Sequence, residues 1–260
     1  MSLFGELAQL VERLLCKQDV SGSSPLFSIF ILEIVKLEFY KEWFENRHNK
    51  VLEILGKEWF EGKEILELGA CHGDFGIEFQ KLGSNVVFSD ARVEHLNSIT
   101  PNLYKPAELV CLNQNEYYDL KRKFDMVLHF GVLYHIENWK QDLECALKHT
   151  NMMLLETVVN PENGMDDFWT SGSDYIYDEF NCLHPNFTEK SVEKVLTDLG
   201  ASFKRFDHKN LNTYGKLHDK VILQNVYDWT DKNYKKYFSE STDGIELRTH
   251  YRRFWLVVKS

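Results

Sequence analysis

Runs of apolar residues alternate with helix-like segments along most of the chain. The helix-like segments include FGIEFQKLG and NWKQDLECALKHT, in which apolar residues recur at helical spacing. Continuous apolar strands that alternate with helices are typical of a parallel sheet covered by helices on both faces. We therefore predict a doubly wound α/β fold with a mostly parallel sheet, whose first five strands lie at 64–68, 85–89, 108–112, 124–130 and 151–159.

The segments on either side of this alternation complete the predicted domain. Helical periodicity over 29–57 predicts an N-terminal helical cover for the sheet. Thr188 is expected to cap a helix that Gly200 ends, and SFKRFD and YRRFWLVVKS are expected to form the sixth and seventh strands. The stretch from about 208 to 250 is too long for a hairpin connection, so we predict a cap-like insertion. A single domain would then span 29–260.

Residues 1–28 are predicted to be an N-terminal extension without a chemical role. Apolar residues at helical spacing would allow an amphipathic helix here. Alternatively, GELAQLVERLLCKQDVSGSSP back-translates into a sequence that resembles a transfer RNA gene, which would indicate a start site placed too far upstream.

Net charge narrows the class of partner. The chain of 260 residues carries 30 basic and 40 acidic residues, a formal charge of −10. A polyanion would meet net repulsion unless a local basic patch offset it, so nucleic acid is disfavoured as a partner and a small molecule is favoured. The sequence leaves the oligomeric state open.

Cysteine usage and hydropathy indicate a cytoplasmic protein. The five cysteines are odd in number and include no C-x-x-C pair, which argues against a disulfide framework and against a zinc site, and no metal is expected. The apolar stretch LFSIFILEIV contains Glu33 and is shorter than the ~18 residues that span a bilayer. We therefore expect no membrane span.

The segment ILELGACHGDFG, residues 65–76, predicts a nucleotide-type site. A strand here runs into three glycines (Gly69, Gly73 and Gly76) and then into a helix, so backbone amides can approach a ligand closely. The next strand ends in Asp90, fourteen residues after Gly76, where an acid can accept both ribose hydroxyl protons. Glu67 lies inside an apolar strand, and because an unpaired buried carboxylate is costly, it is expected to brace the loop or bind a cofactor.

Four segments together resemble motifs of the class I S-adenosylmethionine-dependent methyltransferases: ILELGACHGDFG, VVFSDAR, FDMVLHFGVLYHIENW and MMLLETVV. The resemblance covers about residues 45–205 and the final strand. It implies a seven-stranded sheet with the last strand antiparallel, and S-adenosylmethionine as cofactor. The cofactor-binding residues it implies are Glu67, Gly69, Ala70, Cys71 and Gly73 in the first motif, Asp90 and Ala91 after the second strand, Gln114 or Asn115 after the third, and His129, Phe130 and Gly131 after the fourth.

The sequence departs from the family pattern at two positions. Cys71 stands where the family usually has a glycine, which requires a backbone conformation that an L-residue tolerates. After the third strand the usual acid is missing. We expect the side-chain carbonyl of Gln114 or Asn115 to accept the hydrogen bond of the adenine amino group instead.

Catalysis of methyl transfer requires that the acceptor be aligned with the methyl group of the cofactor, and a weak nucleophile also needs a base. His135 is the first candidate for that base, because an imidazole accepts a proton near neutral pH. The alternative is a structural histidine that caps the following helix. Glu156 is the second candidate, and its alternative is a salt-bridged acid at a strand end.

Three other functions remain open from the sequence. Part of the pattern, GVLYH followed by LLETVV, is similar to a branch of the family that modifies the wobble uridine of transfer RNA. A nicotinamide-dependent dehydrogenase shares the strand-helix unit and the acid after the second strand, but Cys71 breaks the strict G-x-G-x-x-G. A relative that binds the cofactor without catalysis is the third possibility. A methyltransferase acting on a small or medium-sized substrate is the leading hypothesis.

Overall fold

A computed structural model describes residues 41–159, 187–212 and 252–259. Its centre is a seven-stranded sheet in the order β3-β2-β1-β4-β5-β7-β6. Strand β7 lies antiparallel to both of its neighbours, and the other strand pairs are parallel. The predicted fold class is therefore confirmed. The strands are β1 (Glu64–Leu68), β2 (Asn85–Asp90), β3 (Glu108–Cys111), β4 (Met126–Phe130), β5 (Met152–Val158), β6 (Ala201–Phe206) and β7 (Arg252–Lys259).

Helices cover both faces of this sheet. The helices are α1 (residues 41–55), α2 (Asp74–Lys81), α3 (Val93–Ile99), α4 (Trp139–His149) and α5 (Glu189–Asp198). Side chains of α1, α2 and α3 share one apolar cluster with one face of the sheet, and side chains of α4 and α5 share a second cluster with the other face. Successive strand residues point to opposite faces, so each central strand contributes to both clusters. The doubly wound arrangement follows from this division.

The predicted capping of α5 illustrates how local sequence sets element boundaries. The Thr188 side chain accepts a hydrogen bond from the backbone of Ser191, whose hydroxyl accepts one from the backbone of Thr188. This reciprocal pair satisfies two amides at the start of the helix. At the other end, Gly200 adopts a φ of 77°, which ends the helix ahead of β6.

Two predicted segments fall outside the described residues. They are the N-terminal extension, 1–28, and the cap-like insertion, whose residues from 213 onwards are not described. The helical cover predicted for 29–57 is described from residue 41, where Trp43 and Val51 of α1 are buried against the sheet. No helix within the described ranges is long and apolar enough to cross a membrane.

Candidate active site

The predicted site residues follow strands whose carboxyl ends meet at one edge of the sheet. In the parallel register, Leu68 of β1 lies beside Ser89 of β2 and His129 of β4. The glycine loop, the acid after β2 and the loop after β4 are therefore neighbours. This edge is where an open α/β sheet binds its ligands.

The glycine loop is packed closely against its surroundings. Gly69 has a φ of 62°, and a Cβ atom there would lie 2.6 Å from Cγ2 of Val132, in the loop after β4. Ala70 is buried, and its amide donates to the carbonyl of Ser89 at 2.8 Å. Gly73 has a φ of 73° and directly precedes α2, with no side-chain cap on the helix. The loop thus joins β1, β2 and the loop after β4 through backbone that a side chain would obstruct.

Glu67 of β1 holds the first turn of α2 through a hydrogen bond. Its Oε2 atom accepts a hydrogen bond from the amide of Gly76 at 3.0 Å. A Cβ atom at Gly76 would lie 2.5 Å from the same oxygen, so the contact requires a glycine there. Burial raises the pKa of Glu67 to about 8, although the Gly76 hydrogen bond opposes the rise. The loop-bracing role expected for Glu67 fits this geometry.

We expect stability to depend on pH through Glu67. In the unfolded chain the carboxyl ionises near its ordinary pKa of 4.5, whereas in the folded protein it ionises near 8. The contribution of Glu67 to stability is therefore complete below 4.5 and is lost as the pH rises to about 8. Relative to Glu67→Gln, which cannot titrate, the urea midpoint of the natural protein should fall across this window. A constant difference between the two proteins would contradict the prediction.

Asp90 joins the end of β2 to the glycine loop. Its Oδ2 atom accepts a hydrogen bond from the amide of Cys71 at 2.9 Å. Its Oδ1 atom accepts from the amide of Arg92 at 2.9 Å and lies 3.1 Å from Nδ1 of His95. The carboxylate is 7% exposed, and each of its oxygens can accept a further hydrogen bond. The neighbouring Ala91 is half-buried, and the predicted ribose acid itself lies beside the loop.

Cys71 takes the conformation that its position in the loop requires. Its φ is 51°, in the left-handed region that glycine adopts without strain. Burial, followed by the charge of Asp90, raises the pKa of the thiol to about 12. A thiol in this environment stays protonated and is a poor nucleophile. These observations favour the hypothesis that Cys71 occupies a glycine position without a chemical role.

Replacing Cys71 with glycine should keep or improve cofactor affinity. The left-handed conformation costs an L-residue roughly 1–2 kcal/mol, part of which the entropy of glycine offsets. We expect a small rise in thermal stability together with unchanged or tighter binding of S-adenosylhomocysteine, measured by calorimetry. Lys121 also has a positive φ, 56°, but is exposed, so Lys121→Gly serves as a control that should leave binding unchanged. Weaker binding by Cys71→Gly would contradict the prediction.

The two candidates for the adenine contact differ in what their side chains already bind. Oδ1 of Asn115 accepts a hydrogen bond from the amide of Glu137 at 2.8 Å. Gln114 is buried, and its Nε2 donates to Oδ1 of Asp142 at 3.0 Å. No other side-chain hydrogen bond of Gln114 occurs within the described residues. Gln114 therefore has the more available acceptor oxygen.

The three residues of the predicted cofactor wall after β4 differ in what they contact. The His129 side chain is fully buried on the α4 face of the sheet, where Nε2 lies 2.6 Å from Oδ2 of Asp142. Phe130 points to the opposite face and packs against Phe75 and Phe254. The side chains of His129 and Phe130 thus lie on opposite faces of the sheet, and the lining of a cofactor by these residues stays a prediction. Gly131 has a φ of 68°, and its amide donates to the carbonyl of Glu156 at 3.0 Å, so its contact with a cofactor also stays a prediction.

His135 lies in a short helical turn, Leu133–His135, next to the aromatic ring of Tyr134. Its Nδ1 atom is buried and has no hydrogen-bond partner within the described residues. Burial, followed by the charges of Arg252 and Arg92, lowers the pKa of His135 to about 4. The ring is therefore neutral at pH 7 and can accept a proton, but the two arginines oppose the imidazolium that would form. The role of His135 as a base stays a prediction.

The structure corrects the catalytic role predicted for Glu156. This fully buried carboxylate binds Nη2 of Arg47 at 2.8 Å, and Nη1 of Arg252 binds both of its oxygens at 3.0 Å. Burial alone raises the pKa of Glu156, but Arg252 and Arg47 outweigh it and lower the pKa below its usual value. A carboxylate held in this way is a poor proton acceptor. The salt-bridged alternative describes Glu156 better.

Several polar residues near the site were missed by the sequence interpretation. Asp142 binds both His129 and Gln114, and His95 pairs with Asp90. One signal for Asp142 was available: it falls at helical spacing with Trp139 and Ala146, on the apolar face of α4. An acid on an apolar face needs a polar partner. The sequence did not indicate which residue that partner would be.

Comparison with known proteins shows the family. Residues 35–202 match the family model described as a methyltransferase domain. The chain therefore belongs to the methyltransferase family, and the resemblance to the class I S-adenosylmethionine-dependent enzymes is confirmed. The protein is therefore a methyltransferase, and the dehydrogenase alternative is not supported. Comparison with curated proteins finds no match.

Solved structures share the fold at low sequence identity. The YcgJ protein from Bacillus subtilis has a TM-score of 0.60 and 10% identity, covering 82% of this chain and 97% of its own. An S-adenosylmethionine-dependent methyltransferase from Clostridium acetobutylicum has a TM-score of 0.53 and 14% identity, with both chains covered over 100%. Magnesium protoporphyrin IX methyltransferase from Synechocystis, solved with bound S-adenosylmethionine, has a TM-score of 0.51 and 16% identity, covering 84% of this chain and 80% of its own. At these identities the likeness establishes the fold.

Proposed function

We propose that this chain transfers the methyl group of S-adenosylmethionine to a small or medium-sized acceptor by in-line displacement. One observation carries the proposal: the Asp90 carboxylate lies within hydrogen-bond distance of the backbone of the glycine loop. The acid suited to ribose hydroxyls and the loop suited to the methionine part therefore form one continuous cradle. This arrangement matches the sequence of groups along the cofactor.

The residues present at this edge suit the cofactor. Asp90 would accept the ribose hydroxyl protons, the loop Gly69–Gly73 would lie along the methionine part, and Gln114 would accept from the adenine amino group. When bound, the cofactor supplies the electrophilic methyl carbon. The protein then has to orient the acceptor in line with that carbon and exclude water. His135 can take up a proton that the acceptor releases.

A small acceptor is supported by charge and by a structural neighbour. The formal charge of −10 disfavours a polyanionic acceptor such as transfer RNA. The neighbour from Synechocystis is a magnesium protoporphyrin IX methyltransferase.

Two measurements test this proposal. S-adenosylhomocysteine should raise the thermal stability of the protein, by about 2.7 kcal/mol at 100 times Kd, whereas NAD and NADP should not. Purified protein incubated with S-adenosylmethionine labelled in its methyl group should then transfer label to the small-molecule fraction of a cell extract. Stabilisation by NAD and not by S-adenosylhomocysteine would overturn the methyltransferase assignment. Transfer of label to the transfer RNA fraction alone would replace the small acceptor by a wobble-uridine substrate.

A further inference from the structure

A buried carboxylate on α4 binds three polar side chains at the end of the sheet that carries the cofactor site. Oδ1 of Asp142 accepts from Nε2 of Gln114 and from the hydroxyl of Tyr118, each at 3.0 Å. Oδ2 lies 2.6 Å from Nε2 of His129. Asp142 and His129 are fully buried, and Tyr118 is 5% exposed. The network therefore works in an environment from which water is excluded, where its hydrogen bonds are strong.

The donors in this network are set by the chemistry of each group. Burial, followed by the charge of Asp142, raises the pKa of Tyr118 well above its ordinary value, so its hydroxyl remains a donor. Nδ1 of His129 is buried without a hydrogen-bond partner in the described part of the chain, which favours a ring proton on Nε2, facing Asp142. Each of the three neighbours thus donates to the carboxylate.

This arrangement decides which way the Gln114 amide points. Oδ1 of Asp142 already accepts from the Tyr118 hydroxyl, and it lies 3.0 Å from Nε2 of Gln114, so Gln114 directs its NH₂ group at Asp142. Oε1 of Gln114 therefore points away from Asp142, and it makes no hydrogen bond among the described residues. The amide is held in one of two orientations that would otherwise differ little in energy.

The loop that carries Gln114 begins beside the ribose acid. The amide of Leu112, two residues earlier, donates to the carbonyl of Asp90 at 2.9 Å. The next residue, Asn115, is tied to the turn before α4 through Glu137 and Asn138. The loop is therefore anchored on both sides of Gln114, at β2 and at the start of α4.

We propose that Asp142 is a positioning residue that fixes the Gln114 amide with its acceptor oxygen towards the cofactor, so that the site selects adenine over hypoxanthine. The inference rests on the proposed function, since it assumes that the base lies against the loop after β3. Adenine presents an amino donor to Oε1, whereas hypoxanthine presents a carbonyl oxygen and leaves two acceptors facing each other. Tyr118 and His129 support the selection by holding Asp142.

The test compares two cofactor products by calorimetry: S-adenosylhomocysteine and its deaminated analogue, S-inosylhomocysteine. The unsubstituted protein should bind the adenine compound about tenfold or more tightly than the analogue, because the analogue leaves a buried acceptor unpaired. In Asp142→Asn the substituted side chain can donate as well as accept, so Gln114 can turn over. The preference should then fall by about threefold or more, since one hydrogen bond no longer has a fixed direction.

Two tyrosines next to each other in the chain provide a matched pair. Tyr118→Phe removes a hydroxyl that binds Asp142 and should lower the preference for the adenine compound. This variant tests the inference even if Asp142→Asn does not fold. Tyr117→Phe removes a hydroxyl that binds Nζ of Lys148 on the surface and should leave the preference unchanged. A general loss of stability would weaken the binding of both compounds alike and would not alter the ratio of the two affinities.

The outcomes separate the inference from the proposed function. If the unsubstituted protein binds neither compound, the proposed function fails and the inference fails with it. If it binds S-adenosylhomocysteine without preferring it, or if Asp142→Asn and Tyr118→Phe keep the full preference, the inference alone is overturned. A preference lowered in both variants and unchanged in Tyr117→Phe supports it.

Discussion

Replacing Glu156 with alanine is expected to lower the free energy of unfolding by about 3–5 kcal/mol, because it leaves buried positive charge without its carboxylate. Arg47 and Arg252 both bind Glu156, and their side chains are 0% and 2% exposed. Arg47 also donates to the carbonyl of Leu211. The carboxylate therefore joins α1, β5 and β7 to the turn after β6. Urea denaturation followed by circular dichroism would measure the loss.

A surface ion pair provides the control for this change. Asp198 binds Lys194 four residues away on α5, and both side chains are mostly exposed. Asp198→Ala should cost less than about 1 kcal/mol, because solvent screens an exposed pair. A similarly small effect of Glu156→Ala would contradict the structural role. Unchanged stability together with loss of methyl transfer would return Glu156 to the list of catalytic candidates.

Replacing Asp90 with alanine is expected to weaken the binding of S-adenosylhomocysteine by tenfold or more. Hydrogen bonds to a charged group contribute about 1.5–3 kcal/mol, and tenfold in affinity corresponds to about 1.4 kcal/mol. The effect has two parts, because Asp90 would bind the ribose and also holds the amide of Cys71 in the loop. Calorimetry would give the affinity, and thermal unfolding would report how much stability is lost.

Asp125 offers a matched control at the opposite end of the sheet. Its carboxylate also accepts a backbone amide, that of Glu64 at 2.9 Å, just before β4 begins. Asp125→Ala should therefore lower stability modestly and leave the affinity for S-adenosylhomocysteine unchanged. Equal affinities in the Asp90 and Asp125 variants would remove Asp90 from the cofactor site.

The local parts of the site could be predicted because they depend on residues close in sequence. Gly69 and Gly73 lie in the loop after β1, and the left-handed conformations they adopt are accessible mainly to glycine. The capping of α5 by Thr188 depends on residues three positions apart. Glu67 of β1 binds Gly76 in the first turn of α2, nine residues away in the same strand-loop-helix unit.

The polar side chains after β4 and β5 were harder to interpret. His129 and Glu156 both occur at strand ends near the site, where the sequence favours a functional role. The direction of each side chain depends on which face of the sheet its residue occupies, and the residue that it meets there belongs to a helix that packs on that face. His129 therefore binds Asp142 of α4, and Glu156 binds Arg47 of α1, 109 residues away.

The seven strands, the helices α1, α2, α4 and α5, the glycine loop after β1 and the acid after β2 could be predicted from the sequence alone, because hydrophobic periodicity and backbone conformation are local properties. Which polar groups bind one another depends on how the helices pack against the sheet. A buried charge or amide must find a partner wherever the packed elements bring one, and sequence shows the need for a partner without identifying it. For this reason the positions of the glycine loop and of Asp90 could be predicted, whereas the Asp142 network and the ion pairs of Glu156 could not.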